Sequence, residues 1–341
     1  MQKIIFVFFL TLTFLTTKAQ TTGVKNDTLK QFLGDVFSTI QQNSVYKSSF
    51  DWPSLKTKVF KGIDTAQSYD DLIPSIKFIY RSINDRHGFL NLYGKRIAMN
   101  DKPTYAVRNV LQNQLKNGIP KIKTQILDKQ YGYILIPSNN DFGENSSILS
   151  QEIQDSLCKL NPKNLKGIII DLRLNSGGSM FPMLLGLNQI VGNGTIGSFV
   201  DIEGRPITKW IIKNSSFYLD TQQVAVVTNG CAFSRSLKIV VLTSRITKSA
   251  GEDLAIALRG KVNTLFIGEE TGGFTTSTSV HYVNGQLLTV ASAFIADRTG
   301  KVYRDKISPD INMVEGDNFQ EPKNDVKVTA ALNWMKKHRS K

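Results

Sequence analysis

The chain has 341 residues, 42 Lys and Arg against 28 Asp and Glu, a formal net charge of +14 and only two cysteines. That length can bury a sizeable core, and two cysteines allow at most one bridge, so disulfides do not organise the fold. The basic excess would suit nucleic acid, but the lysines are scattered and no nucleic-acid-binding motif is present, so it reads as a solvated surface favouring anionic envelopes or substrates, with no nucleic-acid partner.

The opening "MQKIIFVFFLTLTFLTTKAQTT" carries one Lys, an apolar core from Ile4 to Leu15 and small or polar residues through Ala19. This predicts a signal peptide over residues 1–19, because the apolar run is shorter than the roughly 20 residues a bilayer requires. No later stretch is long and apolar enough to span. The expected product is exported, periplasmic or secreted, with no integral membrane segment once the leader is removed.

Leu29, Phe32, Leu33, Val36, Phe37 and Ile40 recur at three and four, predicting an amphipathic helix over Asp27 to Gln41. A shorter helix is expected from Pro53 to Ile63. A third has Ile76, Ile79, Tyr80 and Ile83 on one face and Pro74 in its first turn. Together they predict an N-terminal helical domain over residues 20–92, ending in "INDRHGFL". From 93 to 341 the texture changes to short apolar runs: "YGYILIP", "GIIIDLRL", "QVAVVTNG", "KIVVLTS", "TLFIGEE" and "LLTVASAFIA". Ile- and Val-rich runs with little polar alternation predict strands buried on both faces. Helical patterns follow at 179–191 and 249–259, so the fold class is α/β. Asn284-Gly285 marks a hairpin, and "DVKVTAALNWMKK" a closing helix.

Three places could carry chemistry. Gly177-Gly178 joins a strand to a helix and leaves amides pointing outward at a helix N-terminus, which suits an anion or a developing oxyanion, or is an ordinary tight turn. "SAGE" at 249–252 is a capping-box pattern before an apolar run, and on local pattern alone the cap is the simpler reading of Ser249. A histidine base must be His87, His281 or His338; His87 sits in a polar loop closing the helical region. With no HExxH and no CxxC, ligands for a metal are lacking, and no dinucleotide or phosphate fingerprint implies a cofactor.

Taken in order, "DRHGF", "GIIIDLRLNSGG", "KIVVLTSRITKSAGEDLAIALRG", "TLFIGEETGG" and "ISPDI" resemble the motif series of the C-terminal-processing (tail-specific) serine peptidases. Within that family the chain resembles the branch shared with the tricorn core and the interphotoreceptor retinoid-binding protein repeats. The resemblance covers about residues 75 to 312 and implies a ClpP/crotonase-like core of mixed β-sheet and helices with an N-terminal helical bundle. It implies a polypeptide substrate, Ser249 as nucleophile, and an oxyanion hole from Ala250 and the Gly177-Gly178 turn. Cap and nucleophile are compatible roles.

Many members pair the serine with a lysine, but "GEETGGF" puts Phe274 at that position, and the tricorn-like pattern points to His87 as the base. An acid orienting it aligns near Tyr303 and Asp305, with Asp305 expected; Glu252 remains a cap and Lys248 a surface charge. About forty residues separate His87 from "YGYILIP", too few for the family's peptide-binding PDZ domain. Two functions are carried: an exported serine endopeptidase acting through an acyl-enzyme, and a non-catalytic module for apolar ligands or peptides on the same fold. An esterase of the α/β-hydrolase type is disfavoured by the lack of a G-x-S-x-G elbow.

Overall fold

The computed structural model describes residues 25–100, 106–116, 118–139, 141, 145–228, 230–234 and 236–337; the expected leader over 1–19 and His338 lie outside them. Helix α1 (Asn26–Asn43) buries the six apolar residues that its spacing places on one face. Helix α2 (Trp52–Val59) begins where the Asp51 carboxylate accepts from the Ser54 amide at 3.1 Å. It stops at Val59 rather than Ile63, because Gly62 at φ +84° turns the chain into a short 3-10 segment at Ile63–Thr65. Helix α3 (Ile73–Ser82) carries Pro74 in its first turn. These helices share their core with Leu90, Ile97, Leu288 and Val290 of a sheet beneath them, so they cover that sheet rather than stand free. The expected boundary at residue 92 falls inside the hairpin of β1 (Phe89–Leu92) and β2 (Lys95–Ala98).

The chain continues through α4 (Asn109–Leu115), β3 (Lys123–Leu127), β4 (Tyr131–Leu135), α5 (Ser146–Cys158), β5 (Gly167–Asp171), α6 (Met180–Gly186) and α7 (Asn188–Val191). Next come β6 (Gly194–Val200), β7 (Pro206–Lys213), β8 (Ser216–Leu219), β9 (Gln222–Val226), β10 (Lys238–Thr243), α8 (Ala250–Arg259) and β11 (Thr264–Gly268). The last elements are β12 (Thr276–Val283), β13 (Gln286–Asp297), β14 (Val302–Tyr303), β15 (Ile311–Asn312) and α9 (Val326–Lys337).

One sheet has the order β15-β11-β10-β5-β4-β3, parallel except for β3 at its edge. Its central strands read as unbroken Ile and Val because both faces are covered. Ile168, Ile170 and Val241 pack with residues of α5, α6 and α8, whereas Ile169, Val240 and Leu242 pack with Val328, Leu332 and Met335 of α9. The second sheet is antiparallel, β2-β1-β13-β6-β7-β8-β9, with β12 and β14 also on β13. "QVAVVTNG" is corrected here: only residues 223–226 of it fall in β9, an edge strand with Gln222, Gln223 and Val226 exposed. The Asn284-Gly285 turn joins β12 to β13 with φ of +47° and +76°. Cys158 at the end of α5 is bonded to Cys231, 73 positions on, a closure that restricts the unfolded chain by roughly 4 kcal/mol in the loop-entropy model.

Beyond the end of β5, Arg173 is wholly buried. Its guanidinium donates to Asp171 at 2.9 and 2.5 Å, to Asp317 at 2.6 Å and to Asp325 at 2.7 Å. Asp317 also takes Lys327 at 2.7 Å, and Asp325 accepts the first amides of α9. Replacing Arg173 by Leu takes the shared cation from three buried carboxylates and should lower stability by about 3–5 kcal/mol. The check is the urea midpoint; an unchanged midpoint would show that the cluster carries no net load.

Candidate active site

Ser249 lies at the turn between β10 and α8 with φ +50° and ψ −126°, a conformation that costs an L-residue on the order of 1–3 kcal/mol and persists only where its surroundings impose it. Those surroundings are specific. The Lys248 amide donates to the Asn175 carbonyl at 3.0 Å and the Gly272 amide to the Thr247 carbonyl at 2.8 Å, while the Thr247 hydroxyl donates to the Leu172 carbonyl at 2.8 Å. The capping box forms as well, and it does more than cap. The buried Glu252 carboxylate accepts from the Ser249 amide at 3.1 Å, the Phe274 amide at 2.7 Å, the Gly273 amide at 2.9 Å and the Thr271 hydroxyl. Burial pushes the Glu252 carboxyl up to about 7, while these four donors pull it down.

The Gly177-Gly178 turn packs directly on this serine. A side chain at Gly177 would lie 2.9 Å from Ser249 Cβ, and one at Gly178 would run into the Asn139 carbonyl oxygen at 2.0 Å. Both glycines have φ above +100°, so no other residue fits. Their amides differ, however. Gly177 N–H donates to Asn175 Oδ1 at 3.0 Å and is spent. Among the described residues no acceptor is found for the amides of Gly178 and Ala250, whereas Asn175 Oδ1 takes that of Gly177. Beside Asn139 a cavity of about 570 Å³ opens, with Ile122, Ile136, Leu149, Ile153, Pro182 and Met183 in its wall.

His87 arrives from the end of α3. The buried Asp85 carboxylate accepts from the amides of His87 at 3.0 Å, Gly88 at 2.6 Å and Ala291 at 2.8 Å, which pins the loop onto β13. His87 Nδ1 is 2.8 Å from the Thr276 carbonyl oxygen. A carbonyl only accepts, so Nδ1 carries the proton and Nε2 the lone pair. Burial pushes this imidazole down to about 4, the Thr276 bond opposes that, and the charge of Arg96 adds to it. The His87 ring meets Phe274 at 90° with centroids 5.4 Å apart, and Lys248 Nζ lies 5.3 Å from the centroid of the same Phe274 ring.

Residues 130–313, more than half of the chain, match the model of peptidase family S41. The chain belongs to peptidase family S41. This S41 chain is 25% identical over 311 residues to the nisin-resistance protein of Lactococcus lactis subsp. lactis, covering 90% of the chain and 87% of that relative. Among solved structures, a lipoprotein from Streptococcus agalactiae shares its fold at TM-score 0.61 and 20% identity, covering 90% of this chain and 96% of that one. The photosystem II D1 C-terminal processing protease does so at 0.53 and 15%, covering 84% and 93%.

Within the S41 frame, the structure brings Ser249, Ala250 and the glycine turn together. It does not bring Asp305 to the imidazole. Asp305 pairs with Arg86 at 2.7 Å and is largely exposed, and among the described residues the Nδ1 contacts are to the carbonyl and hydroxyl of Thr276 rather than to a carboxylate. Tyr303 bonds Asp297 at 3.0 Å. Gly177 is corrected as an oxyanion donor because Asn175 holds its amide. Lys248 is corrected from surface charge to a half-buried ammonium whose pKa burial lowers, against the pull of Glu252. Among the described residues no hydrogen bond joins His87 to Ser249, and His281 sits on β12 against Ser279 at 2.8 Å. Sequence reading missed Asn175, Thr271 and Thr276, whose roles come from what folding sets opposite them. Glu252→Gln turns an amide group toward two of the four donors, freeing one arm of the site; the rate of fluorophosphonate labelling of Ser249 should fall about tenfold or more, and an unchanged rate would make Glu252 a cap only.

Proposed function

We propose that this S41 chain is an exported serine endopeptidase that cleaves polypeptides through an acyl-enzyme. The observation that carries the reading is Ser249, held in a strained conformation at a helix N-terminus against the Gly177-Gly178 turn. Ser249 Oγ attacks the scissile carbonyl while His87 Nε2 takes its proton. The amides of Gly178 and Ala250, aided by the N-terminus of α8, stabilise the oxyanion. The imidazolium then protonates the leaving amine, and a water activated by Nε2 releases the acyl group. In the resting chain His87 rests against Thr276 and Phe274; the bond to Ser249 forms as substrate fills the cleft. Export is supported by the leader pattern at 1–19 and by the Cys158–Cys231 bridge, which suits an oxidising compartment. Among the described residues no helix is long and apolar enough to cross a membrane.

A second reading, a binding module for apolar ligands or peptides, draws on the cavity of about 570 Å³ beside Asn139. One experiment separates the two: fluorophosphonate labelling of the mature chain beside Ser249→Ala and His87→Ala, with digests of casein and of nisin, the latter chosen for the name of the lactococcal relative. The peptidase reading expects labelling and cleavage to fall about 10⁴-fold or more in Ser249→Ala. A folded wild-type chain that neither labels nor cleaves favours the binding module.

The pH dependence has two acid limbs. Glu252 works ionised, so activity declines as pH falls through about 7; His87 works neutral, so a second decline comes only near 4 instead of at the ordinary 6.5. The profile of kcat/KM tests this, and Glu252→Gln should abolish the upper limb alone. A single limb at 6.5 would contradict both assignments.

A further inference from the structure

The loop from Thr271 to Thr276 touches both arms of the site, and Phe274 is where the contacts meet. Its amide donates to Glu252 Oε2 at 2.7 Å, the same oxygen that takes the Ser249 amide at 3.1 Å. Its ring meets the His87 imidazole at 90° and 5.4 Å on one hand and Lys248 Nζ at 5.3 Å on the other. On the nucleophile side the loop is tied by the Gly272 amide to Thr247 and the Gly273 amide to Glu252. On the imidazole side it is tied by the Thr276 carbonyl to Nδ1 and by the Thr275 hydroxyl to the Asp305 carbonyl at 2.9 Å. Gly273 at φ +80° has no room for a side chain: one would lie 2.9 Å from Asp305 Oδ1. The ring is therefore carried on a backbone anchored at both ends.

We propose that Phe274 is a positioning residue for the Ser249–His87 pair, its ring seating the imidazole and holding it apart from the Lys248 ammonium while its amide shares the Glu252 anchor with the nucleophile. This rests on the peptidase reading above. Two nitrogen groups of different basicity lie against one ring, and only one may serve as the base. A T-shaped contact orients His87, and a cation over the ring face fixes Lys248 without a hydrogen bond between the two nitrogens. The ring also covers one side of the half-buried imidazole, which favours its neutral form. The charged groups around His87 are Asp85 beneath it, the Arg86–Asp305 pair and Arg304 about the adjoining cavity, Arg96, and Lys248 with Glu252 beyond the ring. Phe274 is the uncharged ring that touches both His87 and Lys248.

The test uses the mature chain with Phe274→Ala, Phe274→Leu and Phe274→Tyr, each checked for folding by thermal unfolding. In Phe274→Ala the His87 titration, followed by NMR on carbon-13-labelled histidine and assigned with His87→Ala, should move up from about 4 by about one to two pH units as water reaches the ring. Phe274→Leu keeps an apolar side chain on the loop and loses the oriented contact; its kcat should fall about 10- to 100-fold with KM within about twofold. Phe274→Tyr keeps the ring and should retain kcat within about threefold. An unshifted His87 in a folded Ala variant, or wild-type kcat in the Leu variant, overturns the proposal. If the wild-type chain proves inactive, the peptidase reading fails, yet the titration arm still decides whether Phe274 governs His87.

Discussion

The buried guanidinium of Arg173 is the interaction on which the architecture turns. It gathers Asp171 at the end of β5, Asp317 in the segment before α9 and Asp325 at the start of α9, all wholly buried. Tyr133 on β4 joins through Asp171 at 2.7 Å, and the Ser244 hydroxyl donates to the Arg173 carbonyl at 2.7 Å. Such a cluster is an expensive way to gain stability, since desolvation offsets much of the attraction. What it secures is geometry. Strand β5, the closing helix and the turn after β10 meet at one point, and Asn175, two residues further along, then holds both the Lys248 amide and the Gly177 amide.

The backbones of Ser249 and His87 are mounted by the same device. Glu252 gathers three main-chain amides and a hydroxyl around Ser249, and Asp85 gathers three main-chain amides around His87. A carboxylate with its lone pairs so occupied fixes backbone rather than side chains, and that leaves the reactive groups themselves uncommitted. The strained φ of Ser249 is sustained by this backbone grip. Between the two mounts runs the 271–276 loop, bonded to Glu252 at one end and to His87 at the other, so that displacement of either arm is felt by the other.

Much of this was legible in the sequence. The unbroken Ile and Val of "GIIIDLRL" and "KIVVLTS" could only be strands covered on both faces, and α1 announced its buried stripe at three-and-four spacing. Serine at a helix mouth, paired glycines and a scarcity of histidine narrowed the site to Ser249, the 177–178 turn and His87. Strands β6, β7 and β8 left little trace, because their half-exposed pattern mixes charge, threonine and glycine into a weak alternation. "QVAVVTNG" misled because apolar composition is shared by central and edge strands, and only pairing tells them apart. Asp305 was expected beside His87 by its position before a Pro-Asp turn, but a carboxylate on an exposed loop takes the nearest cation, and Arg86 is there.

The sequence by itself determined the α/β class, the helical cover, and which serine and which histidine are the candidates for chemistry, since these rest on local periodicity, backbone conformation at glycine and the rarity of a residue type. Tertiary structure alone decided which amide of the glycine turn Asn175 holds, that a carbonyl rather than a carboxylate takes Nδ1 of His87, and that the Phe274 ring touches both His87 and Lys248. Those are contacts between segments far apart in the chain. Their hydrogen-bond partners are chosen by the packing of two sheets and the closure of α9 on Arg173, and no local pattern encodes them.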